Sequence, residues 1–165
     1  MPTAHKLHLK VADEVWIATA LLHREQPTRT DFSVQEIVAR VASEALVRPL
    51  RPGTYVHVVQ QAVANRAPSP GRYRMLFETG PGRRRLFRRG DSYHPAREGA
   101  KITPNPDEIP PQYFGLLSWY NQWDAAAAFS APDTDPLLAL AGSGTQLWSS
   151  EHADEYIRRL REQWQ

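Results

Sequence analysis

The chain contains no cysteine, so disulfide bridges, thiolate nucleophiles and thiolate metal ligands are all excluded. No apolar run approaches the roughly 18 residues that a membrane-spanning helix requires. No basic segment followed by an apolar one opens the sequence, so a cytoplasmic protein with no membrane partner is expected. Catalytic signatures are equally scarce. There is no His-Glu-x-x-His, no pair of carboxylates at a readable spacing and no phosphate-cradling glycine loop, and the six histidines are scattered. Asp91 and His94, in Gly90-Asp91-Ser92-Tyr93-His94-Pro95, find no third partner and read as a turn. An enzyme, a metal site and a bound cofactor are therefore not expected.

What is present is an uneven distribution of charge. The 165 residues suit one domain with an appendage, and 41% apolar residues suffice for a core. Net charge is only +2, yet Met1 to Gln112 carries 17 Lys and Arg against 11 Asp and Glu. From Tyr113 to Gln165 the balance reverses, 3 against 7. A basic front and an acidic rear point to two partners of opposite charge.

The basic half is organised around Ser33 to Arg89. Phe32-Ser33-Val34-Gln35-Glu36 predicts a helix start, with Ser33 as N-cap, Glu36 completing a capping box and Phe32 set to pack on Ile37. Ile37, Val38, Val41, Ala42 and Ala45 continue at helical spacing. Arg48-Pro49-Leu50-Arg51-Pro52-Gly53 breaks the pattern. A second helical run from about Thr54 to Asn65 places Tyr55, Val58, Val59, Ala62 and Val63 on its inner face. Its outer face is then Thr54, His57, Gln60, Gln61 and Ala64, preceded by Arg51. No acid lies among these residues, and a helix entering a DNA major groove needs such reach to base edges without carboxylates. Two β-prone runs follow, Arg72 to Glu78 and Arg83 to Arg89, joined by Thr79-Gly80-Pro81-Gly82, so a hairpin is expected. Arg83, Arg84, Arg85, Arg88 and Arg89 crowd its tip and return strand. Such a cluster suits phosphate contact; charges that blunt an edge strand are the plainer alternative.

Around this centre, a supporting helix is predicted from about Val11 to Arg24, with Val11, Val15, Ala18 and Leu22 on one stripe. Ala100 to Gln112 holds four prolines and reads as an extended connector. Tyr113 to Ala128 reads as an aromatic helix for packing or dimerisation. The domain is thus expected to span 1–128, with 129–136 as linker and 137–165 as a partner-binding or dimerisation tail. Within the tail, Ala153, Tyr156, Ile157, Leu160 and Trp164 follow helical spacing, with acids early and arginines late as the helix dipole favours. The expected class is α+β and mainly helical: three helices and a hairpin wing, a winged helix-turn-helix, with an aromatic helix and a helical tail added.

Residues of about Val11 to Trp123 resemble an uncharacterised family of winged helix-turn-helix domains. The matching parts are Val63-Ala64-Asn65, Tyr73 to Phe77, Gly80 to Leu86, Gly90-Asp91 with His94-Pro95, and Ile109-Pro110 through Trp119-Tyr120. Asp135-Pro136-Leu137-Leu138, Gly142-Ser143-Gly144, Leu147-Trp148 and Asp154 to Arg161 resemble the C-terminal end of VapB-type antitoxins. That family binds operator DNA through an N-terminal dimer and wraps a PIN-domain ribonuclease toxin with its C-terminal part. The resemblance implies that Leu137, Leu138, Leu147 and Trp148 fill toxin grooves. It implies that Tyr156, Ile157, Leu160 and Trp164 form a docking face and that Arg158, Arg159 or Arg161 pairs with toxin carboxylates. VapB proteins usually carry a smaller N-terminal domain, a departure that leaves the two halves to be tested separately. The expectation is a homodimeric DNA-binding regulator, the antitoxin of a toxin–antitoxin pair. Its DNA-binding residues would be Arg51, Thr54, His57, Gln60, Gln61, Arg83, Arg84, Arg85 and Arg88. The alternative is a winged-helix transcription factor or nucleic-acid-binding module without a toxin, whose tail dimerises or packs on its own domain.

Overall fold

The structure, a computed structural model, describes residues 9–130. It is α+β, with four helices and a small antiparallel sheet. Helix α1 (Val11–Glu25) is its centre. The predicted stripe of four residues understates its burial, because every residue from Ala12 to His23 is buried. The reason is packing on several sides: α2 (Val34–Glu44), α3 (Gly53–Val56) and the sheet all contact it. Tyr120 of α4 (Phe114–Ser130) meets the Trp16 ring edge-on at 5.8 Å. Burying α1 also buries Asp13 and Glu14 in its first turn. Both are partnered, Asp13 by Lys101 at 3.2 Å and Glu14 by Arg51, and both lie at the helix end where negative charge is favoured.

Helix α2 starts as its sequence predicts. The Ser33 hydroxyl accepts from the Glu36 backbone N–H at 3.1 Å, and the Glu36 carboxylate accepts from the Ser33 N–H at 2.7 Å. Phe32 and Ile37 are both fully buried. Phe32 and Ser33 also form a short strand, β1, in a stretch whose residue pattern signals only a helix start. The other strands are β2 (Leu76–Gly80) and β3 (Arg83–Leu86), shorter than the two predicted runs. The sheet order is β1-β3-β2, with Phe32 opposite Arg84 and Leu76 opposite Leu86. Gly82 turns the hairpin with φ of +67°, a conformation that favours glycine.

The second predicted helix departs from its expected form. Only Gly53–Val56 is α-helical, and His57–Gln61 continues it as a π-turn. The Ala62 N–H closes that turn by reaching the His57 carbonyl at 2.9 Å. The wider turn changes the phase of the segment. Thr54, Val58 and Ala62, four residues apart, face the core, while Tyr55 and Val56 are exposed.

The connector from residue 100 to 113 is extended apart from two short 3-10 turns, Pro106–Glu108 and Pro111–Tyr113. Ile109 inserts into the core, and Glu108 is held by both Lys10, at 2.5 Å, and Lys101. Those two cations hold the Glu108 carboxyl down to about 2. On α4, Leu116 and Tyr120 are buried, and the Tyr120 hydroxyl donates to the Phe87 carbonyl at 2.5 Å. The aromatic helix therefore completes the core. Among the described residues, no helix is long and apolar enough to cross a membrane.

Candidate nucleic-acid interface

The hairpin arginines are not an open cationic ridge. Arg83 reaches the Asp31 carboxylate at 2.5 Å. Arg85 makes a two-point pair with Asp91 at 2.6 and 2.7 Å and lies 4.5 Å over the Phe77 ring. Arg89 pairs with Asp124 at 2.7 Å. Arg88 lies 4.2 Å over Trp123. Arg84 is interior, its side chain 2% exposed, with Glu78 at 3.2 Å. These contacts correct the expectation that Arg83, Arg84, Arg85 and Arg88 stand ready for phosphate. Carboxylates and rings from other parts of the chain already hold them, and two-point pairs of this kind are strong.

Arg84 has a different task. Its Nε and Nη2 donate to the Val58 and Val59 carbonyls, each at 3.1 Å. Arg97, also fully buried, donates to the Gln60 and Gln61 carbonyls at 2.8 Å, and to those of Arg66 and Tyr73 at 2.6 Å. Four successive carbonyls, 58 to 61, are thus satisfied by two guanidinium groups. A helix leaves its last four carbonyls without internal partners, and cationic side chains near a C-terminus commonly take them. Arg84 and Arg97 so anchor the π-turn from beneath.

The expected reading face is also altered. Thr54 is 0% exposed and Ala64 is buried. Arg51 is committed to Glu14 and to the Leu9 carbonyl at 2.9 Å. His57 is half-buried, donates from Nδ1 to the Gly53 carbonyl at 2.8 Å, and has its proton affinity lowered by burial. Gln60 donates its amide to the Ala67 carbonyl at 3.3 Å, and Gln61 packs against Gly71. These last three remain partly exposed; Thr54 and Arg51 serve the interior instead.

The groups that do face outward are ones the helical pattern does not single out. On the first turn of α3, Tyr55 is 57% and Val56 43% exposed, and Leu50 in the preceding turn is 40% exposed. Arg48 and Arg72 are exposed with no carboxylate in pairing range among the described residues. Arg72 follows Gly71 and so lies at the Gln61 end of the segment, while Arg48 enters it from the other end. One signal in the sequence marks this region: no Asp or Glu occurs from Ala45 to Phe77, while five arginines do.

The predicted partner-binding residues Leu137, Leu138, Leu147, Trp148, Tyr156, Ile157, Arg158, Arg159, Leu160, Arg161 and Trp164 lie outside the described residues. No group of three His, Asp or Glu among the described residues is placed to hold a metal ion. Comparisons with protein-family models, with curated proteins and with solved structures return no match to this chain.

Proposed function

We propose that this chain is a cytoplasmic DNA-binding regulator whose described domain is a winged helix. The connectivity α1-β1-α2-α3-β2-β3 with strand order β1-β3-β2 supports that fold reading. The observation that carries the function is the continuous helical segment Gly53–Gln61. It rests against α1 and α2 and presents an acid-free outer side to solvent. In this reading the segment enters a major groove, and Arg48 and Arg72 contact phosphates at its two ends. The hairpin sits beside the duplex as a scaffold and contributes little charge of its own.

A homodimer would carry two such segments to a two-fold-symmetric operator. The C-terminal segment, from residue 137, engages an acidic PIN-type ribonuclease as a VapB-type antitoxin tail does; the resemblance of its sequence supports this half of the reading. The alternative, a regulator without a toxin, differs in what deletion after Ala131 does. The antitoxin reading expects DNA binding to persist and toxin inhibition to vanish. A tail used for dimerisation or packing expects loss of the dimer or of the fold.

The decisive experiment for DNA binding is fluorescence anisotropy against salt concentration on a randomised duplex pool. Arg48→Gln with Arg72→Gln should weaken binding and reduce the salt slope by about two. Arg83→Gln should leave the slope nearly unchanged. Absence of salt-dependent binding by the parent would remove this function.

A further inference from the structure

The exposed side of α3 is apolar as well as acid-free, and this narrows the target. A solvated helix face ordinarily carries polar groups. Here Tyr55 and Val56 are adjacent on one turn and both exposed, while Val59, one turn beyond Tyr55, is half-buried against the core. The amide and imidazole groups expected to read base edges are largely engaged: His57 with Gly53, Gln60 with Ala67. What is most exposed on this segment is hydrocarbon and one phenol, with the Gln61 amide beside them. The apolar feature presented in the major groove by an unmodified base pair is the 5-methyl group of thymine. The charge on either flank, Arg48 and Arg72, fits a polyanion better than an apolar protein groove.

We infer that Tyr55 and Val56 are specificity-determining residues that contact thymine methyl groups, so that the target is duplex DNA with thymine at the positions under α3. The inference rests on the DNA-binding reading. It predicts a recognition dominated by apolar contact, with Gln61 as a secondary donor. It also distinguishes DNA from RNA, since uracil lacks the methyl group.

The test uses the full chain and a duplex of about 20 base pairs, two helical turns, enriched from a randomised pool. The duplex is made once with thymine and once with deoxyuridine at every thymine. Affinity should fall roughly fourfold for each methyl group removed from beneath α3, and Val56→Ala and Tyr55→Ser should abolish the difference between the two duplexes. Both residues are exposed, so circular dichroism and thermal unfolding should match the parent. Equal affinity of the parent for both duplexes would overturn the inference and leave DNA binding intact. Discrimination that survives both substitutions would overturn the assignment to α3. If no duplex in the pool is bound, the function itself fails and the inference with it.

Discussion

Arg97 is the side chain on which the α3 region most depends, and its replacement by methionine should be severely destabilising. Four of its hydrogen bonds span 2.6 to 2.8 Å, to the carbonyls of Gln60, Gln61, Arg66 and Tyr73. No carboxylate among the described residues pairs with it. A bond from a charged donor contributes about 1.5–3 kcal/mol, so four give about 6–12 kcal/mol gross. Against this stands the cost of burying a guanidinium, several kcal/mol, which the substitution removes. The carbonyls left behind decide the sign, because each buried acceptor without a partner costs about 1–3 kcal/mol. A net loss of about 4 kcal/mol is expected, a large share of the roughly 5–15 kcal/mol that holds a domain folded. In urea denaturation the midpoint should fall by about 2 M. Arg97→Lys should recover only part, since an ammonium has three donors and no planar fork. A methionine variant within about 0.5 M of the parent midpoint would refute the reasoning, showing that water replaces the guanidinium without cost.

Other outcomes follow from single contacts. His23 is buried, and its Nε2 accepts from the Leu86 N–H at 3.3 Å. Burial and nearby arginines push it down to about 4 from 6.5. The unfolded chain therefore holds the extra proton between those values, and stability should drop by about 3 kcal/mol as pH falls from 6.5 to 4. His57, lowered by burial, acts in the same direction; His23→Gln should remove most of the slope in urea titrations across this range. Glu36, held down to about 2 chiefly by Arg29, acts in a separate window. Its stabilisation is present above about 4.5 and lost as pH falls towards 2, so Glu36→Gln should lower stability at neutral pH and flatten the fall between about 4.5 and 2. Ser33→Ala, which removes the cap of α2, should cost about 1 kcal/mol in thermal or chemical unfolding. Gly82→Ala should cost about 1–2 kcal/mol through its positive φ alone, because a Cβ there meets nothing within 4 Å.

The elements legible in the sequence are those whose signals are local. The capping box at Ser33 and Glu36 needs only four residues, and Gly82 announces its own turn. The phase of the α3 segment is legible only in part: Val58, Ala62 and Val63 are buried as expected, but Tyr55 is exposed, and the cause of that is distant. In a regular helix Tyr55 and Ala62, seven residues apart, share one face, so burying Ala62 would turn Tyr55 inward. The π-turn separates the two, and its stability comes from Arg84 and Arg97, which lie 26 and 37 residues from carbonyls they hold. No window over residues 54–65 contains that information. Likewise β1 is two residues long, and it exists because β3 supplies an edge for Phe32 and Ser33.

The arginine-rich hairpin shows why charge counting along a chain does not tell which cations are free. Arg83, Arg84 and Arg85 are consecutive, so alternation in β3 sends them to different environments: Arg84 inward under the helix, its neighbours outward. The acids that meet them come from the α1–α2 loop (Asp31), the opposing strand (Glu78) and the turn after the hairpin (Asp91). A cluster of like charge that must pack on a folded domain draws counter-charges to itself, because a guanidinium near the interior is costly without partners. The surface proposed for a polyanion is instead the one built from the stretch Ala45 to Phe77, which carries no carboxylate of its own. In the proposed reading that stretch offers Arg48 and Arg72, both exposed and meeting no carboxylate among the described residues, where the arginine run of the hairpin is already paired.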